Sequence, residues 1–211
     1  MSIETVVYRN HKINIVQDKC PGNPCNEWEQ MGVMWCDHPR YNLGHDKAMQ
    51  TLINHCYQYD PVFMALCDSR EVEKQDVIKS LRKLKCVLIP LYLMDHSGLS
   101  ISASAFSCPW DSGCVGLIVA TPQKIRECYG IKNVTKRRRA QAVESLNSQV
   151  KEYDDYLTGN VYGFDIVDES GDVIDSCCGF YGYDHKKSGL LETAKAEIDH
   201  LDCQMVLEFS A

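Results

Sequence analysis

The amino-acid sequence predicts an α+β fold, with a mostly antiparallel sheet and three to five helices packed on it. Segments of strand length, rich in β-branched and apolar residues, lie close to turn residues such as Gly, Asn and Asp. Other segments carry apolar residues at helical spacing. The strands come in runs that are segregated from the helices, which favours an antiparallel sheet over repeated strand–helix–strand units.

The strands are predicted from their apolar content and from the turns that separate them. Arg9-Asn10-His11 indicates a hairpin near the start of the chain, and an acidic turn over 168–172 indicates another near its end. A continuous apolar run fits 86–94, and apolar residues alternate with serines over 99–106. The predicted strands are 3–8, 12–17, 29–36, 86–94, 99–106, 115–120, 161–167, 173–180 and 205–209.

The helices are predicted from apolar stripes and from residues that favour helix ends. Thr121-Pro122 supplies an N-cap followed by proline at the first helical position, and Gly130 provides the matching stop. The predicted helices are 46–57, 71–84, 121–130, 135–157 and 188–200.

The length and composition predict a single globular domain over 1–211, in which residues 1–45 are a candidate small, strand-rich N-terminal lobe. With 22 basic and 29 acidic residues the net charge is −7, which argues against a nucleic-acid binder that is basic over its whole surface.

The longest apolar run, 86–94, is far shorter than the roughly 20 residues of a membrane span. The first residues lack the pattern of a signal peptide, so we expect a soluble, cytosolic protein.

The chain is rich in cysteine, with twelve in 211 residues. In a cytosolic protein these are expected to be reduced thiols, most of them packed as small apolar side chains. Cys20, Cys25, Cys36 and His38 are the candidate metal ligands, because thiolates and imidazoles are what zinc prefers. Their spacing fits no standard zinc site, so we predict neither a metal nor another cofactor.

No familiar catalytic motif is present, such as a phosphate-binding glycine loop or a zinc-binding HExxH. The candidate acid–base residues are Asp18, His38, Asp95 and His96, since histidine near its ordinary pKa is a natural general base. Cys108 with His96 could form a nucleophilic dyad. If 99–106 is one straight strand, however, about 25 Å separates them, so we expect a turn histidine and a distant loop thiol.

Aromatic and charged residues stand in the loops outside these periodic segments. Such residues are typical of binding hot spots, although Trp110 could equally fold back over the core. The candidate partner-binding residues are Trp28, Arg40, Tyr41, Trp110 and Asp111.

A basic cluster opens the longest predicted helix. Cations at a helix N-terminus oppose the helix dipole, so an acidic or phosphate-bearing partner is one explanation and a solvated helix face is the other. The candidate nucleic-acid-binding residues are Lys136, Arg137, Arg138 and Arg139.

Several segments occur in a fixed order over about residues 7–182. They are Ile15–Asp18 (IVQD), Glu27-Trp28, His38–Gly44 (HPRYNLG), Pro90–Tyr92 followed by Asp95–Gly98 (PLY and DHSG), Cys108–Gly113 (CPWDSG), Tyr153–Gly159 with Val161–Phe164 (YDDYLTG and VYGF), and Asp175–Cys177 with Gly179-Phe180 (DSC and GF). In this order they resemble a widespread group of uncharacterised bacteriophage proteins. The resemblance implies a phage-encoded protein made in the bacterial cytoplasm. In that group the positions of Cys20 and Cys25 are usually polar or acidic, which counts against a metal site there.

These observations favour an accessory protein that binds a host protein, with inhibition of a bacterial defence system as its expected role. The first alternative is a small hydrolase that acts on a nucleotide or phosphodiester. The second alternative is a nucleic-acid-binding module that uses the basic cluster at 136–139.

Overall fold

The structure is a computed structural model that describes residues 3–208 of the chain. Within that range there are eight strands and seven helices. The strands are β1 (Glu4–Tyr8), β2 (His11–Gln17), β3 (Val33–Cys36), β4 (Val87–Asp95), β5 (Leu99–Ser102), β6 (Ser112–Ala120), β7 (Val161–Val167) and β8 (Val173–Tyr181). The helices are α1 (Pro24–Glu27), α2 (Ala48–Tyr59), α3 (Pro61–Ser69), α4 (Lys74–Lys83), α5 (Pro122–Tyr129), α6 (Lys136–Leu157) and α7 (Leu190–Glu208).

The strands form two four-stranded antiparallel sheets, with the orders β1-β2-β7-β8 and β3-β6-β4-β5. The chain divides into two compact units, one built from 1–22 with 155–211 and the other from 23–154. The predicted α+β class with antiparallel pairing is therefore confirmed. The strands of residues 1–45 do not form a lobe of their own, because β1 and β2 pair into one sheet and β3 into the other.

The first unit packs α7 on one face of its sheet. Alternation along the strands turns Ile13 and Ile15 of β2 and Phe164 and Ile166 of β7 to the same face. These four side chains are completely buried against the apolar stripe of α7, which consists of Leu190, Ala194 and Ile198.

The second unit joins β6 to the helical segment α2–α4. Its core contains Leu52 and Cys56 of α2, Phe63 of α3, Val77 and Leu81 of α4, and Val119 of β6. Pro90 lies within β4, although proline cannot donate a ladder hydrogen bond. The strand tolerates it because β5 pairs only with Tyr92–Asp95, so the half of β4 that holds Pro90 pairs with β6 on one side and with no other strand of residues 3–208 on the other.

The five predicted helices are present, and two more occur where none was predicted. The capped helix α5 ends at Gly130 as expected, with Thr121 Oγ1 accepting from the Lys124 amide at 3.1 Å. The additional helices are α1 and α3, and β3 is shorter than the predicted 29–36. The prediction of a last strand over 205–209 is wrong for 205–208, which continue α7, and residue 209 lies outside the described range.

None of the helices described over 3–208 combines the length and the apolar character that crossing a membrane requires.

Candidate functional site

The loop after β3 carries three of the residues singled out from the sequence: His38, Arg40 and Tyr41. The loop closes at Gly44, which forms an isolated antiparallel bridge with Trp35. Gly44 has φ +80°, and a Cβ there would lie 2.5 Å from the Met34 carbonyl oxygen, so no other residue fits. Its amide also donates to Tyr153 Oη at 2.8 Å. These contacts fix the return of the loop and thereby the position of its polar side chains.

A second loop, which joins β5 to β6, carries Trp110 and Asp111. The predicted strand over 99–106 is wrong in its second half, because β5 ends at Ser102. The chain then bends back, and Asp95 of β4 donates its amide to the Asp111 carbonyl oxygen at 2.8 Å. The register of β4 with β6 therefore brings the end of this loop beside the end of β4.

The two loops enclose a cleft of about 460 Å³, here called the polar cleft. Three carboxylates line it, those of Asp37, Asp95 and Asp111, together with the guanidinium of Arg40. The sequence singled out all of these except Asp37, which binds Lys74 through a short ion pair. Its position next to His38 in the same loop is the signal that could have identified it. Other lining residues include His38, Trp110, Ser112 and Cys114.

Asp95 holds the first loop in place at one side of the polar cleft. Its Oδ2 accepts from Arg40 Nη2 at 2.5 Å and from Tyr41 Oη at 3.0 Å. The Arg40 guanidinium also lies over the Tyr41 ring, 5.3 Å from its centroid, and His38 stacks on the same ring at 4.8 Å. These contacts therefore fix the orientation of Arg40, Tyr41 and Asp95, while the charged groups of Arg40 and Asp95 remain accessible to solvent.

Asp111 joins His96 and Cys108 at the other side of the cleft. Its Oδ2 lies 3.0 Å from His96 Nδ1 and 3.6 Å from Cys108 Sγ. The expected 25 Å separation of His96 from Cys108 is therefore wrong, because both side chains contact one oxygen. An ionised carboxylate can only accept, so the imidazole donates its Nδ1–H to Asp111. This is the orientation that carboxylate–histidine pairs adopt in general bases.

Trp110 is 93% exposed, the highest value among the large apolar side chains of the described residues. The interpretation that it folds back over the core is therefore wrong. Trp110 stands in the loop between β5 and β6, next to Asp111, and its ring is open to solvent.

The remaining predicted site residues are not among those that line the polar cleft. Trp28 is 43% exposed and lines a different cavity. Asp18 belongs to the first unit, where its Oδ1 accepts from the Cys20 amide at 3.0 Å in a local turn. Of the four acid–base candidates, His38 and Asp95 line the cleft and His96 reaches its rim through Asp111.

The basic cluster that opens α6 is partly committed to contacts within the protein. Arg139 donates to the carbonyl oxygens of Lys85 and Cys86 at 2.7 and 2.8 Å. Arg138 lies over the Tyr129 ring at 5.1 Å. Lys136 and Arg137 are exposed. Two of the four cations of the cluster therefore already have contacts within the protein, although Arg139 stays exposed.

The candidate metal ligands do not assemble. Among residues 3–208 no group of three or more His, Cys, Asp or Glu side chains is placed to hold a metal ion. Burial raises the pKa of the Cys25 and Cys36 thiols to about 12, so both are protonated near neutral pH and are poor ligands.

Comparison of the chain with protein-family models, with curated proteins and with solved structures finds no match.

Replacing Gly44 with alanine is expected to destabilise the second unit by about 2 kcal/mol or more, because the new Cβ meets the Met34 carbonyl at a strained φ. All three tryptophans lie in this unit, so urea unfolding followed by tryptophan fluorescence measures the effect. Gly98→Ala is the matched control, since nothing lies within 4 Å of a Cβ at that position. Equal stability of the two variants would contradict the closing role of Gly44.

The structure also predicts that acid destabilises this unit. His45 follows Gly44, and its Nδ1 accepts from the Met34 amide at 3.0 Å. Burial lowers the pKa of His45 below its ordinary value of 6.5, so the unfolded chain binds a proton before the folded one does. The resulting stability is complete above about pH 6.5 and decreases as the pH falls from there toward the folded pKa.

Comparing urea unfolding at about pH 7.5 and about pH 5 tests this prediction. His45→Asn keeps an acceptor for the Met34 amide and should reduce the difference between the two pH values. His200→Asn, at an exposed position of α7, should leave the difference unchanged. A pH dependence that is the same in the wild type and in His45→Asn would show that another group causes it.

Proposed function

We propose that this protein binds a partner protein through Trp110 and the adjoining polar cleft. The observation that carries the proposal is that Trp110 is 93% exposed. Its loop is nevertheless fixed in place, because the Asp95 amide donates to the carbonyl oxygen of the adjacent Asp111. An exposed tryptophan forgoes the stabilisation that burial of its large apolar surface would give. Tryptophan is also among the side chains most enriched at binding hot spots. Burial of the Trp110 ring against a partner would provide the favourable free energy of apolar burial that the folded protein alone does not obtain.

The charges around Trp110 favour a partner that contributes a basic side chain. Of the three carboxylates that line the polar cleft, Asp37 is paired with Lys74 and Asp95 with Arg40, whereas the described contacts of Asp111 are to His96 and Cys108. The whole chain has a net charge of −7. An arginine or lysine of the partner could lie on the Trp110 ring and reach Asp111. Complementary charges of this kind increase the rate of association and fix the orientation of the partner.

The resemblance to bacteriophage proteins supports a host-cell protein as the partner. In this proposal the protein acts in the cytoplasm of the infected bacterium, and occupying a functional surface of a defence protein would inhibit it. An interaction surface of this type needs no catalytic residue in the protein itself.

The test is capture of the partner from a bacterial lysate treated with nuclease, with the tagged protein as bait and mass spectrometry as the readout. Nuclease treatment removes partners that are held only through nucleic acid. A stoichiometric protein that the wild type captures and Trp110→Ala does not would support the proposal. Capture that is equal for the two baits, or absent for the wild type, would contradict it.

The salt dependence of the affinity for the captured partner then tests whether the partner contributes a basic side chain. Because exposed charges are screened by salt, the affinity should fall as ionic strength rises. Asp111→Asn should flatten that dependence, whereas Glu144→Gln, at an exposed position of α6 outside the cleft, should not. An affinity that does not depend on salt would refute the proposed basic contact.

One observation favours a second candidate function, hydrolysis of a phosphodiester or nucleotide. His96 Nδ1 lies 3.0 Å from Asp111, which leaves Nε2 as a base that could activate water. Arg40 on the opposite side could stabilise a developing negative charge. His38 accepts from the Arg40 amide through Nδ1 at 3.3 Å, so its Nε2–H could donate a hydrogen bond to a phosphate oxygen.

Assays with bis(4-nitrophenyl) phosphate and with nucleoside triphosphates test the second candidate. If His96 is the base, His96→Ala and Asp111→Asn should each lower the rate by about a hundredfold. Cys108→Ser should leave the rate unchanged, because water and not the thiol is the nucleophile. Absence of turnover in the wild type, or equal rates in wild type and His96→Ala, would exclude this function.

A further inference from the structure

A second cavity of the 23–154 unit lies between the segment after α1 and the helix α2. Its volume is about 370 Å³, within the range of small-molecule sites. Apolar and aromatic side chains form much of its wall, among them Trp28, Met31, Leu52 and Val119. None of its lining residues lines the polar cleft. It is therefore a separate site from the proposed interaction surface.

The ionisable groups that line this cavity present no net charge near neutral pH. Burial lowers the pKa of His45 and of His55 and raises the pKa of the Cys25 thiol to about 12, so all three are neutral there. The remaining two, Glu29 and Lys124, form an ion pair with each other. A charged ligand would lose its hydration without gaining a counter-ion, which is unfavourable in an apolar site.

The wall also contains an unused hydrogen-bond acceptor. The amide nitrogen of Gln30 donates to Glu152 Oε2 at 3.4 Å, whereas its Oε1 is shielded from solvent and has no donor among the described residues. A buried acceptor without a donor costs about 1–3 kcal/mol. Gln30 lines the cavity and the terminal torsion of glutamine is broad, so rotation of its amide could bring Oε1 to the cavity surface. A bound molecule with an N–H or O–H group would satisfy it.

From the volume, the apolar wall, the absence of net charge and the free acceptor of Gln30, we infer that this cavity binds a small uncharged nitrogen heterocycle through its ring N–H. The inference does not depend on the proposed protein partner. The aromatic walls contributed by Trp28 and the histidines suit a flat ring, and His45 can offer only Nε2–H, since Nδ1 accepts from Met34.

Indole and benzofuran make a matched pair of probes, because they have nearly the same shape and only indole carries an N–H. We expect indole at millimolar concentration to shift the amide NMR signals of the cavity wall. Benzofuran should bind about tenfold more weakly, which is the value of one hydrogen bond to an otherwise unsatisfied buried acceptor. Indole-3-carboxylate should bind more weakly than indole because its charge has no partner.

Three variants locate the site and the hydrogen bond. Gln30→Met should make the affinities for indole and benzofuran equal, a change that loss of stability alone would not produce. Thr51→Phe, from an exposed position on α2, should fill the cavity and weaken both probes. Trp110→Ala should affect neither. The inference is overturned if neither probe binds the wild type, if the indole preference persists in Gln30→Met, or if indole-3-carboxylate binds as tightly as indole.

Discussion

Trp110→Ala is expected to weaken binding of the captured partner by about a hundredfold or more, equivalent to about 2.8 kcal/mol. The alanine removes the large apolar surface that the partner would cover and the ring over which a basic side chain would lie. Isothermal titration calorimetry with the purified partner measures the loss. Trp110→Phe keeps a smaller aromatic ring and should lose only part of the affinity.

The fold should not change in this variant, because a side chain that is 93% exposed contributes little to the core. The circular dichroism spectrum and melting temperature of Trp110→Ala should therefore match those of the wild type. Trp28→Ala is the matched control, since Trp28 lies outside the polar cleft, and it should bind the partner normally. Equal losses in the two tryptophan variants would show that the effect is not specific to the proposed surface.

Asp60→Ala is expected to cause the largest loss of stability among the variants considered, about 3 kcal/mol. Asp60 is only 3% exposed and serves as the N-cap of α3, with Oδ1 accepting from the Val62 amide at 3.1 Å. Its two oxygens also accept from Lys83 Nζ at 2.6 Å and from Ser80 Oγ at 2.9 Å. Alanine removes the cap and leaves the buried Ser80 hydroxyl without its acceptor.

Two further variants separate the contribution of helix capping to stability from the contribution of the Asp60–Lys83 ion pair. Asp60→Asn retains an acceptor for the Val62 amide, and its NH2 group can donate to Ser80 Oγ, so it should cost about 1 kcal/mol. Lys83→Met removes the cation but leaves the cap. It should also cost less than Asp60→Ala, since the Lys83 side chain is 55% exposed and its ion pair is partly screened. Urea unfolding followed by tryptophan fluorescence ranks the three variants. If Asp60→Asn were as unstable as Asp60→Ala, charge and not capping would be the dominant contribution.

The same aspartate has a defined pH dependence. Burial raises its pKa, but hydrogen bonds from Lys83, Ser80 and the Val62 and Phe63 amides outweigh burial and hold the pKa below 3.8. The unfolded chain is therefore protonated first as the pH falls, and the contribution of Asp60 is lost below about pH 4. Asp60→Asn should lose less stability than the wild type on acidification through this range.

Elements whose signals are local were predictable from the sequence. The helix α5 has its cap, its first-turn proline and its terminal glycine in the sequence, and all three are used. The helix α3 carries the same start, Asp60-Pro61, with the Asp60 side chain capping the Val62 amide. Asp60-Pro61 is therefore a local signal from which the start of α3 is predictable.

The length of β5 was not predictable in the same way. Alternating apolar and polar residues continue to 106, but a strand also needs a neighbour, and β5 pairs only with the last four residues of β4. The geometry of the polar cleft likewise depends on strand pairing between distant parts of the sequence. Asp111 meets His96 because the loop from β5 returns to β6, which pairs with β4, and no spacing within the sequence specifies that register.

The order in which the strands pair has a consequence for synthesis of the protein on the ribosome. β2 lies between β1 and β7 in its sheet, and Ile13 stands opposite Ile166, so the N-terminal hairpin gains its second neighbour only after some 150 further residues have been made. Until then the hairpin has an open edge, and two strands alone are marginally stable in water. The 23–154 unit is continuous in sequence, so it can fold during this interval. Once it has folded, the two chain segments of the first unit are joined by a compact unit instead of a long flexible loop. The entropy cost of bringing these two segments together is then smaller.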